Sequence, residues 1–268
     1  MIKGLYTAFT GMEAAWRYQD VLANNIANAN TIGFKREIAA LAPLGDVLIS
    51  QQAPVPAPLP ARIQAVIGQI GTGKFIAEFA TDFQPGMLRQ TGQELDLALT
   101  NGFFTIGSST RDATGNLSYA NAYYTRDGRF QRDADGTLVT AEGYHVLDTN
   151  GQPIRLPGEP VTITPDGIIR DTAGQEIATL RIVDFAPGAL LRAGEAHFQP
   201  APAQPENQGQ PPVGGPGLRQ GYLEFSNTNL VEELTSLLAV QRVYQANQAV
   251  LARLDTTLDQ AAGELGRL

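Results

Sequence analysis

Apolar residues near the start of the chain recur at alternating steps of three and four positions. The stripe consists of Ile2, Leu5, Phe9, Met12, Trp16, Gln19, Ala23 and Ile26, and only Gln19 is polar. Steps of three and four place side chains on one side of an α-helix. The pattern therefore predicts an amphipathic N-terminal helix.

A longer stripe with the same spacing runs to the end of the chain. Its members are Leu230, Glu233, Leu237, Val240, Tyr244, Asn247, Leu251, Leu254, Leu258, Ala261 and Leu265. A sustained heptad stripe is typical of a coiled coil, in which a polar residue such as Asn247 fixes the register. We predict a coiled coil between the two terminal helices, with faces left for other chains. The alternative is that each helix packs only on the core of its own domain. Ser226 or Asn227 is the predicted N-cap of the second helix.

Between these stripes the apolar period changes to two, which indicates strands. Short alternating runs are separated by dipeptides that favour tight turns. Four such dipeptides are Asp127-Gly128, Asp135-Gly136, Asn150-Gly151 and Asp166-Gly167. The centre of the chain is therefore predicted to be a β-rich domain.

The predicted fold class is α+β, with paired terminal helices and an inserted β-rich domain. Residues 1–35 and 226–268 form the helical coiled-coil module in this prediction. Residues 36–75 are an extended strap and turn, residues 76–198 the β-rich domain, and residues 199–225 a return linker rich in proline and glycine. The strap contains QQAPVPAPLPA, in which recurrent proline prevents a helix.

Composition and charge limit the partners and the kinds of site that the protein is expected to have. The net charge of −8 argues against nucleic acid as the main partner, because phosphate binding requires clustered Lys and Arg. The sequence contains no run of 18 apolar residues, so no membrane-spanning helix is predicted. The N-terminus lacks the features of a cleaved secretory signal. The chain has no cysteine, so neither disulfides nor thiolate metal sites can form.

Two stretches resemble binding motifs without completing them. Residues 68–74 read GQIGTGK, but Phe75 stands where a phosphate loop needs a hydroxyl for magnesium. Residues 131–142 read QRDADGTLVTAE and place acids like a calcium loop, but Gln131 occupies the first ligand position. We interpret both as turns next to strands. We expect no cofactor and no metal ion.

No set of residues suggests catalysis. His145 and His197 are the only histidines, and neither has a Cys or His ligand nearby in the sequence. His145 falls in a predicted strand and is interpreted as a packing residue. The sequence contains no nucleophile elbow and no zinc-protease motif. The prediction is that the protein is not an enzyme.

The stretch DVLANNIANANTIGFKRE, residues 20–37, resembles the N-terminal signature of the bacterial flagellar rod and hook protein family. Three further blocks resemble the same family in the same order: residues 92–106, 124–147 and 220–251. The resemblance implies export by the flagellar type III apparatus without a cleaved signal. It also implies self-assembly into a helical tube, with terminal helices inside and β domains outside.

The family resemblance and the two apolar stripes together predict which residues form an assembly interface. On the N-terminal side it comprises Leu5, Phe9, Met12, Trp16, Asn24, Asn25, Asn28, Thr31, Gly33, Phe34 and Lys35. On the C-terminal side it comprises Leu230, Leu237, Val240, Tyr244, Asn247, Leu251, Leu254, Leu258 and Leu265. The amides of Asn24 and Asn25 are expected to meet neighbouring chains, so that their replacement by alanine impairs assembly more than stability.

We expect the protein to be a structural subunit of the flagellar basal-body rod. The rod lies in the cell envelope and transmits torque to the hook. Expected partners are further copies, adjacent rod and hook proteins, ring proteins and the export apparatus, with no nucleic acid and no membrane insertion. The segment between GFKR and IGTG favours a distal-rod subunit, and a proximal-rod subunit is the alternative. More remote alternatives are a secreted β-domain binding module, with Tyr119, Tyr123 and Tyr124 as a stacking platform, and a peptidoglycan-cutting enzyme.

Overall fold

A computed structural model of the chain describes residues 2–43, 45–52, 64–71, 73–111, 117–194, 196–201 and 209–265. These residues divide into two compact units. The helical unit comprises residues 1–26, 37–80 and 230–268, and the β domain comprises residues 27–36 and 81–229. The fold is α+β, with a helix near each end of the chain and a β-rich centre, as the sequence predicts.

The helical unit contains two long helices and four strands. They are α1 (Ile2–Ala27), β1 (Glu37–Pro43), β2 (Asp46–Gln52), β3 (Gln64–Gly71), β4 (Lys74–Thr81) and α2 (Leu230–Leu265). Strand β1 pairs with β4, and β2 pairs antiparallel with β3 from Asp46↔Gly71 to Gln52↔Gln64. We call these four strands the ribbon. Among the described residues, no helix is long and apolar enough to cross a membrane.

The ribbon differs from the extended strap predicted for residues 36–75. In the described residues of this segment the backbone is extended, and the strands of its two arms pair with each other. From residue 53 onward, the proline-rich stretch 51–61 lies outside the described residues. The predicted return linker also contains strands in its second half, while residues 202–208 lie outside the described part.

The β domain is built on one large antiparallel sheet with smaller sheets around it. Its strands are β5 (Leu88–Gln90), β6 (Leu97–Ala98), β7 (Phe103–Arg111), β8 (Leu117–Thr125), β9 (Phe130–Arg132), β10 (Leu138–Thr140), β11 (His145–Val146), β12 (Thr162–Ile163), β13 (Ile168–Arg170), β14 (Glu176–Thr179), β15 (Ile182–Val183), β16 (Leu190–Arg192), β17 (His197–Pro200), β18 (Arg219–Gln220) and β19 (Tyr222–Glu224). The large sheet has the order β16-β17-β8-β7-β11-β10-β9, and β15 also pairs with β7. Strands β12, β13 and β14 form a separate three-stranded antiparallel sheet.

Apolar side chains from these strands form two buried clusters. The larger includes Phe104 and Phe130, whose rings meet edge to face with centroids 4.9 Å apart. The smaller includes Phe103, Tyr124 and Phe198. Alternating apolar residues in short strands supply both clusters, so the period-two pattern identified the core of this domain.

Three of the four predicted turn dipeptides end in a glycine with positive φ, namely Gly136, Gly151 and Gly167. Gly128 is different, because it has no positive φ and leads from β8 into β9 without a hairpin. A Cβ atom at Gly128 would collide with the carbonyl oxygen of Leu97, to which the backbone at Gly128 is closely apposed. The positive-φ turn found at the other three dipeptides is therefore absent at Asp127-Gly128, and close backbone approach explains the glycine.

Candidate assembly site

Helices α1 and α2 run antiparallel in a constant register. A Cβ atom on Gly4 would lie 3.7 Å from Cδ1 of Leu254, and one on Gly11 would lie 2.9 Å from Nδ2 of Asn247. At the other end of the pair, Nδ2 of Asn25 donates to Oε2 of Glu233 at 3.4 Å. Successive contacts are one and then two heptads apart on both helices. The pairing is therefore that of a heptad seam, with Asn247 inside it.

The buried side of α2 follows the predicted stripe. Glu233 is buried, and the later members with described side chains are half-buried, whereas most of their helical neighbours are exposed. Those half-buried members are Leu237, Val240, Tyr244, Asn247, Leu251, Leu254, Leu258 and Ala261. Leu230 is an exception with 44% exposure, and the side chain of Leu265 lies outside the described part of the chain.

The buried side of α1 is rotated by one residue from the predicted stripe. Phe9 and Trp16 are 49% and 56% exposed, whereas their preceding neighbours Ala8 and Ala15 are buried. One residue corresponds to about 100° around a helix. Small residues face α2 here because they allow the two backbones to approach closely, as the contacts of Gly4 and Gly11 show. Large apolar residues are therefore left on the outside of the pair.

Both helices carry exposed apolar side chains. On α1 they are Tyr6, Phe9 and Trp16, and on α2 they include Val231, Leu234, Leu238, Val243 and Val250. We call these eight residues the exposed apolar set. Half-buried Leu5 and Met12 lie beside it on α1. Exposed apolar surface on this scale marks a protein–protein contact more often than a free surface.

The asparagines at the end of α1 have different environments. Asn25 is 1% exposed, its Nδ2 donates to the carbonyl oxygen of Glu37 at 2.9 Å, and its Oδ1 accepts from the Glu37 amide at 2.9 Å. This pair of bonds attaches the end of α1 to β1. Asn24, in contrast, is exposed. The expectation that both amides meet neighbouring chains is therefore wrong for Asn25, whose amide is used within the chain.

Helix α1 ends at Ala27, and a turn formed by Asn28 and Thr31 follows. Oγ1 of Thr31 donates to Oδ1 of Asn28 at 3.1 Å, and the Thr31 amide donates to the Asn28 carbonyl oxygen at 3.1 Å. Asn28 is 8% exposed. Gly33 then adopts a φ of 70°, a conformation that disfavours residues with a Cβ atom.

The next residues, Phe34 and Lys35, are buried inside the β domain and not on its surface. Both are 0% exposed. The guanidinium of Arg192 lies over the Phe34 ring at 4.5 Å and donates to the carbonyl oxygen of Lys35. The prediction that Gly33, Phe34 and Lys35 contact other chains is therefore wrong, because contacts within the β domain already cover these residues.

Lys35 belongs to a buried ionic cluster that joins distant parts of the sequence. Its Nζ lies 2.6 Å from Oε1 of Glu224 and donates to the Gln84 carbonyl oxygen at 2.7 Å. Arg126 contacts Oε2 of Glu224 at 3.2 Å, and the Gly86 amide donates to Oε1 at 2.8 Å. We call Lys35, Arg126 and Glu224 the junction cluster. Burial lowers the pKa of Lys35, and the carboxylate of Glu224 opposes this effect.

Arg36 and Asn227 connect the same two stretches beside the junction cluster. Nε of Arg36 lies 3.1 Å from Oδ2 of Asp82, and the Arg36 amide donates to Oδ1 of Asn227 at 2.9 Å. Nδ2 of Asn227 donates to the Asp82 carbonyl oxygen at 2.8 Å. Since α2 begins at Leu230, the position before it is Asn229, and the N-cap prediction for Ser226 or Asn227 is wrong. The Ser226 hydroxyl instead donates to Oγ1 of Thr228 at 2.8 Å.

Sequence reasoning did not identify Glu224 or the structural role of Asn227. No local pattern marks either residue, because their side-chain partners lie 98 or more residues away in the chain. Both residues do fall within the block 220–251 that carries the family resemblance. That block was the one available signal.

The motif-like stretches form ordinary secondary structure. GQIGTGK falls on β3, the start of β4 and their connection, and QRDADGTLVTAE forms the β9–β10 hairpin. Within the described part of the chain, no three His, Cys, Asp or Glu residues are grouped to hold a metal ion. His197 lies 3.5 Å from Glu142 and stacks edge-on against Tyr144.

The tyrosines considered as a stacking platform do not form one. Tyr124 is buried in the smaller apolar cluster, and half-buried Tyr123 packs against Tyr144 with ring centroids 5.7 Å apart. The side chain of Tyr119 lies outside the described residues. Tyr123 and Tyr124 are therefore core residues, not a ligand surface.

Three family models match the chain in order. Residues 5–35 match "Flagella basal body rod protein", residues 100–171 match "Flagellar hook protein FlgE/F/G D1 domain", and residues 219–264 match "Flagellar basal body rod FlgEFG protein C-terminal". The first and last matches cover most of α1 and α2, and the second covers much of the large sheet.

Curated relatives match over nearly their whole length. The flagellar basal-body rod protein FlgG of Bacillus subtilis is 32% identical over 271 residues, covering 97% of this chain and 98% of the relative. FlgG of Agrobacterium fabrum is 33% identical over 279 residues, with 97% of each chain covered. The rod protein FlgF of Rhizobium meliloti is 33% identical over 274 residues, with 99% of each covered. The chain therefore belongs to the flagellar basal-body rod protein family, as a structural subunit of the rod, and its FlgG relatives favour the distal rod.

Proposed function

We propose that copies of this chain assemble into the helical tube of the distal rod and transmit torque to the hook. The observation that carries the proposal is the exposed apolar set, which lies on two helices that are already paired with each other. Burial of apolar surface contributes about 25 cal/mol per Å², so covering these side chains by neighbouring copies would drive association. Contacts repeated head to tail do not close and therefore produce a tube.

The rest of the proposal follows from the same role. The subunit acts by contact and not by catalysis, and its partners are further copies, adjacent rod and hook proteins, the surrounding ring proteins and the type III export apparatus. It resides in the basal body within the cell envelope and is exported without a cleaved signal. Neither nucleic acid nor membrane insertion is part of this function. Family membership supports assembly with other rod and hook proteins.

Concentration-dependent assembly of the purified chain tests the proposal. We expect filaments above a critical concentration, seen by electron microscopy and by sedimentation. The variant W16S should raise that concentration, and the matched control T257S, at an exposed position on α2, should not. A chain that remains monomeric or stops at a closed dimer would contradict the proposal.

The choice between distal and proximal rod requires a separate test, since FlgF proteins are also relatives. We expect the gene to restore motility to a strain of its own species that lacks the distal-rod gene. Restoration only in a strain that lacks the proximal-rod gene would assign the chain to the proximal rod.

A further inference from the structure

An open cavity of about 670 Å³ lies within the helical unit, and we call it the helix groove. Small residues of α1, namely Gly11, Ala14 and Ala15, line one side of it. Val243 of α2 and Lys74 of the ribbon line other sides. The lining is mainly apolar, and its small residues leave room for a large side chain.

Trp16 is the most suitable occupant that the chain itself presents. It is the single tryptophan of the sequence and is 56% exposed. At 100° per residue, Trp16 points to the side of α1 opposite Ala14 and Gly11. The indole of one copy therefore cannot fill the groove of the same copy, but it is available to another.

Charge favours the same pairing. Asp20 lies four residues after Trp16 and so on the same side of α1. Lys74 is the one charged residue among the described residues that line the groove, and both Asp20 and Lys74 are exposed. Among the described residues, neither side chain takes part in an ion pair. A tryptophan seated in the groove would bring Asp20 of one copy towards Lys74 of the other.

Asn247 offers a polar group for the indole. It lines the groove beside Gly11, and the described residues supply no hydrogen bond to its side chain. A buried indole N–H usually requires an acceptor. The carbonyl oxygen of the Asn247 amide is such an acceptor.

We propose that Trp16 of one copy inserts into the helix groove of the next copy, with Asp20 of the first paired to Lys74 of the second. The inference rests on the proposed function and names the contact through which copies associate. Trp16 and the groove lie on opposite sides of α1, so the two surfaces of the contact are different. A contact between different surfaces is heterologous, and it builds an open helical array, as a rod requires, when its rotation does not close a ring.

The single tryptophan reports directly on this contact. In the full-length chain, emission of Trp16 should shift to shorter wavelength on assembly, and quenching by acrylamide should fall several-fold. Filaments in which Trp16 is quenched as strongly as in the monomer would overturn the inference and leave the proposed function intact. A shift that requires a second rod protein would assign the groove to that partner and overturn the contact between identical chains.

Blocking the groove gives a second test with a matched control. V243F adds bulk at an exposed position on the groove wall, and T257F places the same side chain at an exposed position two heptads along α2, outside the groove and outside the exposed apolar set. V243F should raise the critical concentration by about tenfold or more, which corresponds to the loss of one well-buried contact. T257F should change it by less than about threefold. Equal effects of the two variants would overturn the inference.

Cross-linking tests whether the two residues of the proposed ion pair lie next to each other in filaments. Because the chain has no cysteine, D20C and K74C chains each carry a single thiol. Mixed and assembled under mild oxidation, they should form a disulfide-linked heterodimer, and D20C alone should not form a homodimer. Filaments without the heterodimer would overturn the inference alone. Absence of filaments at every concentration would overturn the proposed function, and the inference with it.

Discussion

In the β domain, phenylalanines such as Phe104 and Phe198 are fully buried, and even Lys35 is covered. In the helical unit, Phe9 and Trp16 are about half exposed, and the residues that α1 packs closely against α2 are small. Both units have enough apolar residues for a core, but only the β domain directs its largest ones inward. The contrast is the one that the proposed assembly requires, namely a β domain that buries its own core and a helical unit that leaves large apolar side chains for neighbouring copies.

The comparison is tested most strongly by truncating one phenylalanine in each unit. F104A should lower the free energy of unfolding of the β domain by about 3–5 kcal/mol, because it empties a site in the larger cluster. F9A should lower that of the helical unit by less than about 1 kcal/mol, because much of the ring is already in water. Urea unfolding followed by circular dichroism measures both values. F9A should nevertheless impair filament formation, and a large loss of monomer stability in F9A would remove the contrast.

A buried ion pair in the β domain and an exposed one in the helical unit allow the same comparison, with a similar expected effect on stability. E224A leaves Lys35 and Arg126 buried without their acid and should cost about 3–5 kcal/mol. E13A breaks the exposed Glu13–Arg17 pair on α1 and should cost less than about 1 kcal/mol. Denaturant titrations of the two variants give these costs. Similar costs would show that the junction cluster does not stabilise the β domain as its burial implies.

Asn24 and Asn25, near the end of α1, allow an exposed and a buried residue of the helical unit to be compared. N25A removes two hydrogen bonds to the Glu37 backbone and should destabilise the helical unit by about 1–3 kcal/mol. N24A, at an exposed position, should change stability by no more than about 0.5 kcal/mol. Thermal melts of the helical signal distinguish them. If N24A were the more destabilising of the two, the assignment of Asn25 as the internal residue would be wrong.

Periodicity in the sequence predicted the two helices and the strand-rich centre, because local repeats determine which face of an element is apolar. It predicted the buried stripe of α2 correctly, since large residues such as Leu237 and Leu251 lie there. It misplaced the stripe of α1 by one residue, because glycine and alanine occupy the close contact with α2. A rule that assigns large apolar residues to the inside fails where small residues hold two helices close together.

Contacts between distant residues were beyond local reasoning. The junction cluster joins Lys35 to Glu224, and neither residue has a neighbour in sequence that reveals the other. The ribbon shows the same limit, because residues 36–75 could be predicted as extended while their pairing could not. Both features depend on chain topology, which spacing alone does not specify.

Amide hydrogen exchange on the monomer and on assembled filaments tests the central claim most directly. In the monomer, amides of residues 2–27 and 230–265 should exchange much faster than those of the large sheet, since the helices lack neighbours to cover their apolar side chains. In filaments, the same helical amides should become as protected as the sheet, with little change in the β domain. Helical amides that are as protected in the monomer as in filaments would contradict the account.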